Sequence, residues 1–283
     1  MSERLDVKKT FKLVVNGAFP RSESGRSYEV TTANGKFLAN VAQASRKDLR
    51  DAVVAARAGQ AKWWNATAYN RGQVMYRWAE MAEGRRSELL EHVQWAEGLK
   101  KRDAQASVAR AIDRIVWYAG WTDKVTQVLG GANPVAGPYF NFSLPVPSGV
   151  IGVVAPQDSS LEGFVEAVCA PMCVGNAVVA LASERRPTPA VVLAEMTATA
   201  DFPGGVLNVL TGFTAELVTH LASHEDVDGL DLAGSAELSD ELARVAAGSI
   251  KRVYRARPND EENPLRHLRT FVETSTVWHT IGQ

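Results

Sequence analysis

From Val150 onward, short apolar runs alternate with longer segments of helical spacing. The predicted strands are 150–154, 177–182, 206–210, 229–232 and 252–254, and the predicted helices between them are 161–173, 187–200, 215–222 and 236–247. Strands that are apolar at nearly every position are typical of a parallel sheet covered on both faces. The pattern therefore predicts a doubly wound, Rossmann-like α/β region over residues 150–257. Sheets of this class bind ligands beyond the carboxyl ends of their strands.

The residues before this region, 1–134, have a different character. Short β-rich stretches at 11–15, 28–32 and 36–41 are separated by turn signals, and helical segments follow at 46–64, 71–97 and 103–129. Ser45, followed three residues later by Asp48, is a predicted helix start. Gly84 is a predicted break within the second helical segment. We expect these strands and helices to pack on the α/β region.

Composition and charge narrow the class of protein. The chain has 283 residues, of which 46% are hydrophobic and 22% are charged, so it can bury a sizeable core. Its formal net charge of −1 gives no global attraction to nucleic acid or to an anionic membrane, and neither is expected as a partner. The first residues lack the apolar run of a signal peptide, and the two cysteines favour a reducing compartment. We therefore expect a cytoplasmic location.

Two pairs of residues have the spacing of metal ligands. Cys169 and Cys173 lie four residues apart on an apolar helix, and His220 and His224 have the same separation. A dithiol or metal site is compatible with either pair. However, free cysteines are usually small buried hydrophobes, and a zinc site takes about four ligands. We therefore expect no metal site.

Two stretches of the chain resemble the aldehyde dehydrogenase family. Residues 139–156 read YFNFSLPVPSGVIGVVAP, and residues 202–235 contain Phe-Pro-Gly-Gly, Leu-Ala-Ser-His and Ala-Gly-Ser. In that family the reactive cysteine lies well downstream of the last of these glycines, whereas no cysteine follows Cys173 here. The resemblance thus implies a truncated, catalytic-domain-lacking member, a pseudoenzyme. The missing part is roughly 200 residues, a typical domain size.

The same resemblance assigns places to site residues, and most of them are changed. The place of the family's oxyanion donor holds Asp158, which only accepts hydrogen bonds when ionised, and the place of its general base holds Ala256. The family's ribose-binding lysine is replaced by Leu181, and the last glycine of its Gly-Ser-Thr-x-x-Gly run by Ser239. The remaining cofactor-binding places are vestigial: Pro156, Glu184, Gly212, Gly234 and Ser235.

The turn at Gly234-Ser235 precedes a predicted helix, so its backbone N–H groups are candidate donors to a phosphate. Even so, the changed residues predict no tightly bound cofactor on this chain. The resemblance implies that NAD(P) is bound by a partner subunit.

In the family, a hairpin and the C-terminal strand form the oligomerisation element. The resemblance places this hairpin at 135–149 and the strand at 270–283, with 258–269 as a loop that replaces the catalytic domain. Six residues are the expected interface: Tyr139, Phe140, Phe142, Phe271, Val277 and Trp278. Trp117 and Trp121 share a helical face, and either core packing or an interface explains them.

Together these expectations predict a non-catalytic structural or regulatory subunit of a hetero-oligomeric NAD(P)-dependent aldehyde dehydrogenase. The expected partner is a full-length catalytic subunit of that enzyme. Two alternatives stay open at this point, a shortened but active aldehyde dehydrogenase and a stand-alone nucleotide-binding protein.

Overall fold

The computed structural model describes residues 8–257, 260 and 265–281, and its N-terminal part begins with a small sheet. The strands of this sheet are β1 (Thr10–Phe11), β2 (Ser27–Thr31) and β3 (Phe37–Ala42), in the order β1-β3-β2. An antiparallel bridge between Val14 and Val209 ties this part of the chain to the α/β region.

Five helices follow the small sheet. They are α1 (Arg46–Asn65), α2 (Ala68–Gly84), α3 (Arg86–Glu97), α4 (Lys101–Trp121) and α5 (Val125–Leu129). The predicted start of α1 is confirmed, because Ser45 and Asp48 form a reciprocal capping box. The predicted break at Gly84 is also confirmed, since α2 ends there and α3 begins two residues later.

The α/β region contains a five-stranded sheet and the helices that cover it. In chain order its elements are β6 (Val150–Val154), α6 (Glu162–Cys173), β7 (Ala177–Leu181), α7 (Thr188–Glu195), β8 (Leu207–Leu210), α8 (Thr214–Ser223), β9 (Gly229–Asp231), α9 (Ser239–Ala246) and β10 (Arg252–Tyr254). The strands are all parallel and lie in the order β10-β9-β6-β7-β8. This confirms the predicted α/β fold with its parallel, Rossmann-like sheet.

Alternate residues of β6 supply the two faces of the sheet. Ile151 and Val153 pack with α6, α7 and the N-terminal helices α2 and α4, whereas Val150 and Val154 pack with α1, α8 and α9. All five residues of β6 are buried for this reason. The N-terminal helices are thus part of both core layers.

A third sheet stands apart from the central one. It consists of β4 (Gly131–Asn133), β5 (Tyr139–Pro147) and β11 (Val272–Thr280), in the order β11-β5-β4. The family-like segment 139–147 is therefore one long strand, and its hairpin partner β4 lies on the N-terminal side of the predicted boundary at residue 134. β11 runs antiparallel to β5 from the pair Val272–Pro147 to the pair Thr280–Tyr139. We call β4, β5 and β11 the tail sheet.

The predicted loop at 258–269 is wrong over its last five residues. A helix, α10 (Leu265–Thr270), precedes β11. It forms because Leu268 is buried and Leu265 packs at the edge of the same core. Residues 258, 259 and 261–264 of the predicted loop lie outside the described residues.

Across the described residues, no helix is both long enough and apolar enough to cross a membrane.

The close contact between Gly205 and the backbone of α1 predicts how a substitution there changes the stability of the fold. Gly205, which has a φ of +89°, lies where the turn before β8 meets α1, and a Cβ there would be 2.1 Å from the Ala55 carbonyl oxygen. We expect Gly205→Ala to lower the free energy of unfolding by at least about 2 kcal/mol, because it adds strain and overpacking. Urea denaturation measures this. Gly84→Ala is the control, since a Cβ at that helix end meets nothing within 4 Å. Equal stabilities of the two variants would contradict the prediction.

Candidate cofactor cleft and tail sheet

The carboxyl ends of β6, β7 and β9 open onto a cleft of about 600 Å³. It lies where the connections from β6 and β9 diverge to opposite faces, which is the place where doubly wound sheets bind ligands. Five of the residues singled out from sequence line it: Pro156, Asp158, Glu184, Gly234 and Ser235. The topology therefore brings most of the predicted site together.

Gly212 and Ala256 do not line this cleft. Gly212 follows β8, and a Cβ there would be 3.3 Å from the backbone nitrogen of Ala44. The next residue, Phe213, packs on Tyr28 with 5.3 Å between ring centroids. Ala256 follows β10 at the edge of the sheet and is exposed. Neither residue is among those that line the cleft.

The turn at Gly234 and Ser235 is closed by hydrogen bonds within the chain. The N–H of Gly234 donates to the Val154 carbonyl at 2.9 Å, and that of Ser235 to the Leu232 carbonyl at 3.0 Å. A Cβ at position 234 would lie 2.0 Å from the Ala155 carbonyl oxygen, so glycine is required by the contact with β6. Both N–H groups, which the sequence made candidate donors to a phosphate, already have partners within the chain.

Gln157 bridges the ends of two neighbouring strands. Its Nε2 donates to the Ala155 carbonyl at 3.0 Å, and its Oε1 accepts from the N–H of Glu184 at 3.0 Å. The Ser183 hydroxyl also donates to the Gln157 carbonyl at 3.3 Å. The sequence motifs did not point to a role for Gln157. The available signal was its place directly after β6, where a polar side chain can reach the next strand.

Carboxylates outnumber cations in the cleft. Asp158, Glu184 and Glu237 line it together with Arg185 and Arg186. Arg186 donates through Nη1 to the backbone carbonyl of Asp158 at 3.0 Å, which leaves the exposed carboxylate of Asp158 unneutralised by that bond. An ionised carboxylate cannot donate to an oxyanion, and the excess negative charge disfavours a bound diphosphate.

Neither thiol is placed to act as a nucleophile. Cys169 and Cys173 are both free and completely buried in α6. Burial raises the pKa of each thiol, and at Cys169 the nearby Glu166 carboxylate raises it further. The interpretation of both as buried hydrophobes is confirmed.

His224 of the histidine pair has a local structural role. The N–H of Asp226 donates to Nδ1 of His224 at 3.2 Å, in the turn after α8. Among the residues that the structure describes, no three His, Cys, Asp or Glu side chains are grouped to hold a metal ion.

The tail sheet displays aromatic side chains at its far end. Tyr139, Phe140 and Trp278 are 41%, 50% and 62% exposed, and the rings of Tyr139 and Trp278 are 5.7 Å apart. Val277 is also exposed, and Phe142 is partly buried beside Phe140. β11 forms one edge of this sheet.

Phe271 was expected at the interface, but the structure places it in the core. It is completely buried, and its ring packs beside Tyr254 and His267. It lies just before β11, where the chain still contacts the α/β region, and its side chain therefore belongs to this chain's own core.

Known proteins share this architecture. Aldehyde dehydrogenase family 2 member B4 of Arabidopsis thaliana is 32% identical over 242 residues, which are 84% of this chain and 44% of the relative. Retinal dehydrogenase 2 of Gallus gallus is 32% identical over 256 residues, 88% of this chain and 48% of the relative. The structure of an aldehyde dehydrogenase from Bacillus cereus in complex with NAD+ has a TM-score of 0.83 and 27% identity, with 87% of this chain and 50% of that one covered.

The chain spans about half the length of the relatives it matches. The family model described as Aldehyde dehydrogenase family matches residues 19–256, which include every strand of the central sheet. With the parallel sheet, its cleft and these matches in agreement, the chain belongs to the aldehyde dehydrogenase family.

Proposed function

We propose that this chain is a non-catalytic subunit, structural or regulatory, in a hetero-oligomer with a full-length catalytic aldehyde dehydrogenase. The partner would bind NAD(P) and oxidise the aldehyde. The observation that carries the proposal concerns the cleft at the ends of the strands. The N–H groups of Gly234 and Ser235 there are bonded within the chain, and three carboxylates line the cleft.

The chemistry of the described residues supports a non-catalytic role. Acyl transfer from an aldehyde needs an accessible nucleophile, a donor to the oxyanion and a base. Both thiols are buried, Asp158 is an acceptor, and Ala256 has no titratable side chain. The two thiols are therefore not accessible nucleophiles, and the places that the family gives to its oxyanion donor and its base hold an acceptor and an alanine.

The tail sheet supports a role in assembly. β11 is an edge strand of nine residues, and an unpaired edge invites pairing with another chain. The exposed Tyr139, Phe140 and Trp278 lie at the same end of the sheet, and aromatic residues are enriched at protein interfaces. Addition of a strand from the catalytic subunit would satisfy the backbone and cover these rings.

The first test of this proposal is activity. We expect the purified chain, free of any partner, to form no NADH from aldehydes in an absorbance assay, because both of its cysteine thiols are buried. The control is the same assay after the catalytic subunit is added. NADH formation that is abolished by Cys169→Ala or Cys173→Ala would contradict the proposal and favour a shortened active enzyme.

The second test is binding of the dinucleotide. Each lost charge-assisted contact is worth roughly 1.5–3 kcal/mol, so we expect a Kd for NAD and NADP weaker than about 1 mM by calorimetry. Asp158→Asn combined with Glu237→Gln should tighten binding, since it removes two negative charges from the cleft. Glu241→Gln, on α9 and outside the cleft lining, should leave the Kd unchanged. Micromolar binding by the unaltered chain would favour a nucleotide-binding protein instead.

The third test concerns assembly through the tail sheet. We expect Val277→Lys with Trp278→Lys to weaken co-elution with the catalytic subunit at least about tenfold, because the two changes place charges on opposite faces of β11. Thr274→Lys is the matched control, because it adds a charge to the same strand at the end away from the exposed aromatic rings. A truncation for the same purpose must retain Phe271, since this residue is buried in the chain's own core. Unchanged co-elution of the double variant would exclude this sheet as the interface.

A further inference from the structure

A buried carboxylate interrupts the apolar strand β9. Leu230 and Leu232 face the core layer of α1 and α8, so the residue between them, Asp231, faces the opposite layer. Asp231 is completely buried. One of its oxygens accepts from the N–H of Ala233 at 2.9 Å, and the other lies 2.6 Å from Nε2 of His267 on α10. A carboxylate at this depth requires such a partner, because an isolated buried charge is strongly unfavourable.

His267 lies between two carboxylates. It is 4% exposed, and its Nδ1 is 3.7 Å from a carboxylate oxygen of Glu166 on α6. Glu166 is in turn held by the hydroxyl of Tyr118, which donates at 2.5 Å, and by Arg114 at 3.1 Å. We call Asp231, His267 and Glu166 the histidine latch.

The ring of His267 is packed as well as paired. It stacks on Tyr254 of β10 with 4.0 Å between centroids and an interplanar angle of 12°. The titratable and charged groups on the elements around it are Asp231 of β9, Glu166 and Cys169 of α6, Tyr118 and Arg114 of α4, Tyr254 of β10, and Arg266 with its partner Asp260.

The protonation state of the latch follows from these neighbours. Burial by itself would lower the pKa of His267, but the carboxylates of Asp231 and Glu166 raise it to about 9. Burial raises the pKa of Cys169 and of Tyr254 away from neutrality. Within this cluster, His267 is therefore the group that changes charge between neutral pH and about pH 9.

The latch holds an element that has little stability of its own. α10 has six residues, and a helix this short is unstable without tertiary contacts. It leads through Phe271 into β11, and the Phe271 carbonyl accepts from Nδ2 of Asn176 at 2.9 Å. Two other ionic links lie nearby among the described residues. Arg252 pairs with Glu273, but these side chains are 40% and 51% exposed, and exposed pairs contribute little. Arg266 of α10 pairs with Asp260 and also donates to the Arg255 carbonyl at 2.9 Å, so it is a second, partly exposed tie of α10 to the α/β region.

We propose that the histidine latch is a conformational device that fixes α10, and with it the base of β11, to the α/β region. Loss of the imidazolium charge leaves Asp231 buried opposite a neutral ring and releases α10 while the central sheet stays folded. The direction with pH follows from the raised pKa. The stabilisation is fully present below about pH 6.5, the ordinary value for histidine, and is lost as the pH rises through about 9.

The test is amide hydrogen exchange of the full chain, measured by mass spectrometry at pH 7. His267→Gln and Asp231→Asn should each raise exchange in residues 265–273 at least about tenfold, and leave α8 unchanged, because breaking a buried pair is strongly destabilising. His279→Gln on β11 and Glu273→Gln in the exposed pair are the matched controls and should change exchange in this segment little. Unchanged protection in 265–273 for His267→Gln, or an equal rise in every helix, would overturn the proposal.

A second measurement needs no variant, in case His267→Gln does not fold. Between pH 6.5 and pH 10, protection factors of residues 265–273 in the unaltered chain should fall by on the order of 100-fold after correction for intrinsic exchange, because each pKa unit corresponds to a tenfold change. The α8 segment should keep its protection. A uniform fall throughout the chain, or none in 265–273, would overturn the proposal. Neither readout depends on a partner subunit, so the latch and the proposed function can fail separately.

Discussion

Burial of β6 on both faces is the constraint on which the rest of the structure depends. A parallel strand with apolar residues pointing both ways is stable only if each face is covered. Here α6 and α7 cover one face, and α8, α9 and the N-terminal helix α1 cover the other. The N-terminal part is therefore built into the same core. The tight approach of α1 to Gly205 and the bridge between Val14 and Val209 are where the two parts of the chain meet.

The same topology places the cleft, but local hydrogen bonds decide what the cleft can hold. A doubly wound sheet brings the residues after β6, β7 and β9 together whatever their identity. In this chain those residues bond to one another: Gln157 joins two strand ends, and the N–H groups of Gly234 and Ser235 donate to carbonyls of the chain. Asp158, Glu184 and Glu237 add negative charge. A family fold and a family site are thus separable properties, since the first rests on the core and the second on a few loop atoms.

The segment that carries the histidine latch connects the tail sheet to the core. β11 pairs along its whole length with β5, while its base depends on α10, Phe271 and the pair of His267 with Asp231. The aromatic rings at the far end of the sheet are exposed, and its base is buried. The proposed partner surface is the exposed end of the tail sheet. The position of this sheet therefore depends on the ionic contact of His267 with Asp231 inside the α/β region.

The sequence by itself determined the fold class and most element positions, because these follow from local periodicity, capping and turn residues. The family was indicated by a resemblance over the motifs at 139–156 and 202–235. The continuous apolar run at Val150–Val154, the capping box at Ser45 and the break at Gly84 are all readable within a few residues. Tertiary structure alone decided the contacts between distant residues. Asp231 was visible as a carboxylate inside an apolar strand, but its partner His267 lies 36 positions away. The same holds for the helix at Leu265–Thr270 and the burial of Phe271, since packing against the core, and not local propensity, orders that segment.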